Sequence, residues 1–196
     1  MRVWLMHPAV FYPLAAIVAA TVIAISIRPQ SWPHAPAAVA GQQIGGALVL
    51  AQSSFDAPAG DADQNLYVTR NFLGQAQTLR IAALPSTPAP GANDRGVQIL
   101  LSSAAATALA NQPATISVNY NPLPINAATG LAVSLQGAGP AVWVTQAAPP
   151  QQGMLRFEVP AQAGVSAVGL RAISNNGDQH EAYGLEITRI SITPHP

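Results

Sequence analysis

The loop "NNGDQHEAY" (175–183) sets Asp178, His180 and Glu181 close together. Carboxylate oxygens and a neutral imidazole could hold a cation or orient a polar ligand. Calcium asks for about six to eight oxygen ligands, and two carboxylates supply too few, so no metal is assigned. "FDAPAGDADQN" (55–65) adds Asp56, Asp61 and Asp63, which would join the first loop if the fold brought the two together. It lacks the calcium-loop pattern with its Gly and bidentate Glu at fixed positions. Asn, Gly and Asp are also the residues of ordinary solvated turns, and that is the expectation for both stretches.

Trp143, in "AVWVTQ", is the aromatic of most interest. If Val142 and Val144 face the core, alternation turns Trp143 outward, where an indole stacks on a sugar ring or a partner. The alternative is that Trp143 points inward and packs. Tyr67, Tyr120 and Tyr183 are weaker candidates, and period places Tyr120 inside. Trp143, Asp178, His180 and Glu181 therefore form the candidate ligand-binding set. His7, His34, His180 and His195 are scattered, with no second His or Cys at metal spacing. "GVSAVG" (164–169) is one residue too long for a nucleophile elbow and falls inside a strand pattern. No catalytic residue and no cofactor is assigned, and the chain is read as not an enzyme.

These residues need elements to hold them. The chain has 196 residues, 8% of them charged, with formal net charge zero and no Cys. Zero charge leaves no electrostatic footprint for nucleic acid. The absence of Cys excludes disulfides and thiolate chemistry. An apolar content of 49% argues against disorder.

From Ala9 to Ile27 no residue is charged. A helix over 8–27 would be roughly 30 Å long at ~1.5 Å per residue, the thickness of a bilayer core. Pro8 suits a first helical position, whereas Pro13 would kink the first turns. Phe11, Tyr12 and Trp32 lie where aromatics favour a membrane interface. The rival reading is a cleaved signal peptide, with Ala38-Val39-Ala40 as its small-residue site. That site lies far behind an apolar core longer than the usual ~7–15 residues, so an uncleaved anchor is expected. Arg2 before the span and Arg28 after it favour a cytoplasmic N-terminus. The expected location is thus a bacterial inner membrane, single-pass, with the C-terminal domain periplasmic. Ala16, Ala20 and Ala24 recur every four residues, a spacing that lets membrane helices approach closely.

The expected organisation is a short cytoplasmic tail (1–7), a transmembrane helix (8–27), a Pro/Ala-rich linker (28–43) and a β-sandwich domain (44–196). Beyond the linker, short alternating segments separated by Gly, Pro, Asn and Asp read as strands. "LRIAA" puts Leu79, Ile81 and Ala83 on one face, and "TISVNY" does the same with Ile116, Val118 and Tyr120. "LAVSLQ" sets Leu131, Val133 and Leu135 against Ser134 and Gln136. In "MLRFEV", Leu155, Phe157 and Val159 alternate with Arg156 and Glu158, a pair able to form a salt bridge. "VSAVGLRAIS" offers Val168, Leu170 and Ala172 to the core. In "YGLEITRISITP" the parity changes between Ile187 and Ile190, so a bulge is predicted near Thr188-Arg189. "SSAAATALANQ" (102–112) is open between a short helix and a loop. With "IGGALVLAQ", "NLYVTR", "VQILLS" and "AVWVTQ", the chain reads as an all-β antiparallel sandwich or jelly roll of about nine or ten strands.

The run "MLRFEVPAQAGVSAVGLRAISNNGDQHEAYGLEITRISITP" resembles the closing strands of galactose-binding-like jelly rolls, among them carbohydrate-binding modules. It is similar in strand pattern, over about a quarter of the chain, and carries no functional residue with it. The expected function is a single-pass, membrane-anchored β-sandwich acting as a non-catalytic structural or interaction (accessory) subunit at the cell envelope. The alternative is a membrane-tethered carbohydrate-binding module. The expected partners are the lipid bilayer, other membrane protein subunits or a glycan, and no nucleic acid.

Overall fold

The computed structural model describes residues 7–27, 35–175 and 177–195, with the side chains of 25–27 outside the description. Arg2, Arg28, Trp32 and His34, used above for orientation, interface and metal spacing, lie outside the described residues. Helix α1 (Pro8–Ile27) has the expected bounds and carries Pro13 inside it. Its described side chains are all exposed, Ala16, Ala20 and Ala24 among them. Over the described residues, no helix is long and apolar enough to cross a membrane.

Among the described residues eleven strands follow, slightly more than expected: β1 (Gln42–Ile44), β2 (Ala47–Ala51), β3 (Asn65–Arg70), β4 (Ala76–Ala83), β5 (Val97–Leu100), β6 (Ala114–Pro122), β7 (Gly130–Gln136), β8 (Val144–Ala147), β9 (Gly153–Val159), β10 (Ala167–Ile173) and β11 (Tyr183–Pro194). "SSAAATALANQ" resolves as a short helix, α2 (Ser103–Leu109), capped by the Ser102 hydroxyl accepting from Ala105 N at 3.4 Å.

Strand β11 is the spine of a seven-stranded sheet. Along one edge its first half pairs with β4 and its second half with β2, while β6 runs along its other edge and pairs on to β9. β3 and β1 complete the outer positions beside β4 and β2. The predicted bulge is present, as a register shift between Ile187 and Arg189. The extra residue returns Ile190 and Ile192 to the face of Leu185 and Ile187, and all four are buried. The second sheet has the order β5-β10-β7-β8, antiparallel throughout. The inner faces of the two sheets pack around one core that includes Leu79, Ile81, Val118, Leu135, Leu170 and Ile187. Tyr120 is buried as its period predicts. Burial pushes its phenol pKa up, and its hydroxyl donates to Pro149 O at 2.9 Å.

One expectation needs correction. The linker was predicted to run to residue 43, but residues from Ala37 onward belong to the sandwich. Ala37 N donates to Ala57 O, and Val39 bridges to Leu101 in parallel, which satisfies backbone groups that a spacer would leave to water. The small sheet is covered on both faces, since Ala132, Ser134, Gln136, Gly169 and Arg171 on its outer side are all buried. The cover is a proline-rich strap, residues 84–96, assisted by the segment before β3. Gln136 Nε2 donates to Arg95 O at 2.7 Å, and Ala172 N donates to Gln64 Oε1 at 2.9 Å. Gly96 (φ +61) lets the strap lie this close, because a Cβ there would sit 2.6 Å from Leu170 O.

Candidate functional site

The predicted ligand set is divided by the fold. Trp143 stands just ahead of β8 on the outer side of the small sheet, one of the two placements that the sequence leaves open. It is half-buried against the strap, and its indole N–H donates to Gly91 O at 3.1 Å. The loop with Asp178, His180 and Glu181 leaves the other end of that sheet, where Asn175 N donates to Thr129 Oγ1 at 3.3 Å. All three residues are exposed. Asp178 Oδ1 accepts from His180 N at 2.9 Å, and Glu181 accepts from Asn126 Nδ2 at 3.0 Å. The first is a local turn contact, and the second ties the loop to the segment between β6 and β7. Among the described residues no group of three or more His, Cys, Asp or Glu is arranged to hold a metal ion.

Asp56, Asp61 and Asp63 do not meet that loop. Asp61 and Asp63 lie over the buried guanidinium of Arg171, at 4.0 and 3.6 Å, and Asp94 of the strap approaches it at 3.3 Å. Arg171 is 1% exposed, and neither of its terminal nitrogens makes a hydrogen bond within the described protein. Its charge is balanced by three carboxylates from two separate segments, so the contact clasps those segments to the sheet. Glu158 turns away from the expected pairing with Arg156. It accepts from Thr115 Oγ1 at 2.9 Å and stands 3.7 Å from His195 Nε2. That edge is exposed, and the carboxylate meets the same ring nitrogen as the hydroxyl, which is not the relay of a catalytic triad.

Sequence reasoning missed the surface around the turn after β2. Residues Gln52–Phe55 form a 3-10 turn, with Gln52 at φ 49, a left-handed conformation uncommon outside glycine. Gln52 and Ser53 line two adjoining open depressions of about 370 and 490 Å³. The first is bordered by Gln42 and Ser54, the second by Asp56, Leu73, Gln75 and Gln77. Together they make up a trough in which amides and hydroxyls, groups that both donate and accept, alternate with apolar residues such as Val39, Val49, Leu73 and Ala76.

The far wall of the trough is the tip of the β3–β4 hairpin, and it is rigidly built. Asn71 Oδ1 accepts from Leu73 N and Gln75 N, each at 3.0 Å, the arrangement of an Asx-type turn. Arg70 ties this wall to the 3-10 turn. Its guanidinium pairs with the Asp56 carboxylate, donates to Asp56 O at 2.8 Å and donates to Gly74 O at 2.9 Å. The tip presents Phe72, 86% exposed, and Leu73, 66% exposed. "SFDAPAG" and "RNFLGQAQ" contain the acid, the base and the turn aromatic of this site, but no motif links them.

No protein-family model matches the chain, and no curated protein matches it. Solved structures do. The tandem CBM22-1–CBM22-2 domain of Paenibacillus barcinonensis Xyn10C is 18% identical, covering 82% of this chain and 48% of that one, with a TM-score of 0.44. The C-terminal family 22 carbohydrate binding module of Clostridium thermocellum Xyn10B is 14% identical, covering 83% of this chain and 97% of that one, with a TM-score of 0.39. The CBM1 of BiXyn10A, in its apo form, is 11% identical over 71% of this chain and 88% of that one, with a TM-score of 0.42. These are carbohydrate-binding modules, the kind of sandwich that the closing strands resemble. No residue role is carried from them.

Proposed function

We propose that this protein is a membrane-tethered, non-catalytic binding module for neutral glycan at the cell envelope. The observation that carries the binding role is the amide-lined trough around Gln52 and Ser53, with Phe72 exposed beside it. A sugar ring offers hydroxyls at its rim and C–H groups on its faces. Glutamine amides and serine hydroxyls match the first, and an aromatic or aliphatic side chain matches the second. An open trough suits a chain laid along the surface better than a buried monosaccharide. Gln52 is held in a costly backbone conformation, which directs its side chain without further ordering on binding.

The tether reading rests on α1. Over the described residues the helix is not long and apolar enough to cross a membrane, so the reading stands on the sequence, where Ala9 to Ile27 hold no charge. Arg2 and Arg28 support a cytoplasmic N-terminus with the sandwich outside, periplasmic in a bacterium. An accessory role beside other membrane helices would use the row Ala16, Ala20 and Ala24.

The test is titration of the full chain in mild detergent with neutral oligosaccharides of gluco, xylo and manno configuration, followed by calorimetry. Binding by at least one, weakened at least tenfold in Gln52→Ala, supports the reading. No heat from any of them rejects it.

A further inference from the structure

The Asp56–Arg70 pair has a placement that the binding reading leaves unused. Asp56 is the single charged residue lining either depression among the described residues. Its side chain is 49% exposed, while that of Arg70, directly behind it, is 10% exposed. The guanidinium behind it lines neither depression and is committed to a carboxylate and to two carbonyls of the walls. A ligand in the trough meets the negative partner of the pair first.

We infer that the Asp56–Arg70 pair is a charge filter that makes the trough selective for uncharged sugars and rejects uronic-acid chains. This rests on the glycan-binding reading of the same trough. A uronate carboxylate entering the second depression approaches the half-exposed Asp56, and like charges at such separations repel. Arg70 cannot turn to receive it without giving up Asp56 and the carbonyls of Asp56 and Gly74, which hold the two walls at their spacing. A neutral chain meets no such penalty, and its hydroxyls can donate to the outward oxygen of Asp56. The pair thus sets both the width of the trough and the sign of ligand it admits.

Asp56→Asn removes the negative face while keeping the side-chain shape and the main-chain carbonyl that Arg70 uses. It leaves the guanidinium uncompensated at the trough. The full chain in mild detergent is titrated with the neutral hexasaccharide that binds best and with a hexauronate. The wild-type protein is expected to favour the neutral chain by at least about tenfold. In Asp56→Asn the preference is expected to shrink at least tenfold through a gain in uronate affinity, whereas Asp56→Glu keeps it. An unchanged preference in a folded Asp56→Asn protein overturns the filter, as does tighter wild-type binding of the uronate. Should Asp56→Asn fail to fold, salt decides. The wild-type preference for the neutral chain should shrink between 20 and 500 mM salt (about 20 to 4 Å of screening length) as the repulsion of the uronate is screened, and a salt-independent preference overturns the filter. If neutral chains bind in proportion to the trough variants while the preference is absent, only the filter fails. If no oligosaccharide binds, the glycan reading itself fails and takes the filter with it.

Discussion

Two arginines, Arg171 and Arg70, divide the labour of this sandwich. Each faces aspartate, yet they do opposite things. Arg171 is sealed beneath Asp61, Asp63 and Asp94 and makes no hydrogen bond from its terminal nitrogens within the described protein. Arg70 makes directed bonds to Asp56 and to two carbonyls at the margin of an open trough. The first contact closes a face of the small sheet. The second shapes a surface that stays open. The difference teaches that charge type alone says little about role. What decides is whether the chain around the pair covers it or leaves it facing solvent.

The comparison breaks most severely at Arg171. Arg171→Ala removes the clasp and leaves a cavity under the strap, and a loss of about 3 kcal/mol is expected. For a domain of this size that is roughly 6–12 °C in melting temperature, read by a thermal melt. Arg171→Met sharpens the point, because it keeps the buried stem and lets the partly exposed aspartates return to water. It should recover more than half of the loss. Equal damage from both substitutions would assign the role to charge and not to packing.

Strand and face were legible in the sequence because period-2 alternation is a local property. Leu79, Ile81 and Ala83, the Tyr120 face and the β11 bulge all follow from parity along one segment. The strap was not legible, since its partners are far away in sequence. Ser134 and Gln136 look like wet-face residues until Arg95 of the strap closes over them. The trough was invisible for the same reason. Gln52, Asp56 and Arg70 carry no motif, and only the β3–β4 hairpin folding beside the 3-10 turn makes them one surface. Alternation left Trp143 open between the two sides, and its neighbour Gly91 lies in a segment with no strand pattern.

The next effect down the scale lies in the strap. Gly96→Ala forces a Cβ to 2.6 Å from Leu170 O and onto the Trp143 ring while straining φ +61. A destabilisation of about 2 kcal/mol is expected, with faster hydrogen exchange along the strap. Trp143→Phe is milder. It keeps the ring packing and loses the bond to Gly91 O, so about 1 kcal/mol is expected. Both changes should leave oligosaccharide affinity at the trough within twofold, because the strap lines neither of its depressions. A large affinity loss from either would break the division between the two regions.

The smallest stability effect is expected at Phe72, and it separates the regions most cleanly. At 86% exposure the ring contributes almost nothing to the core, so Phe72→Ser should shift stability by less than about 0.5 kcal/mol in a melt. The turn beneath it is held by Asn71 and Arg70, whose bonds do not involve the Phe72 side chain. Under the glycan reading, the exposed ring beside the trough offers a face on which a sugar can lie. Its removal should therefore weaken oligosaccharide binding about tenfold, near the upper end of what one aromatic contact contributes. Calorimetry and the melt on the same sample check both halves. Unchanged binding with unchanged stability would leave Phe72 outside the ligand surface and confine recognition to the amides of the trough.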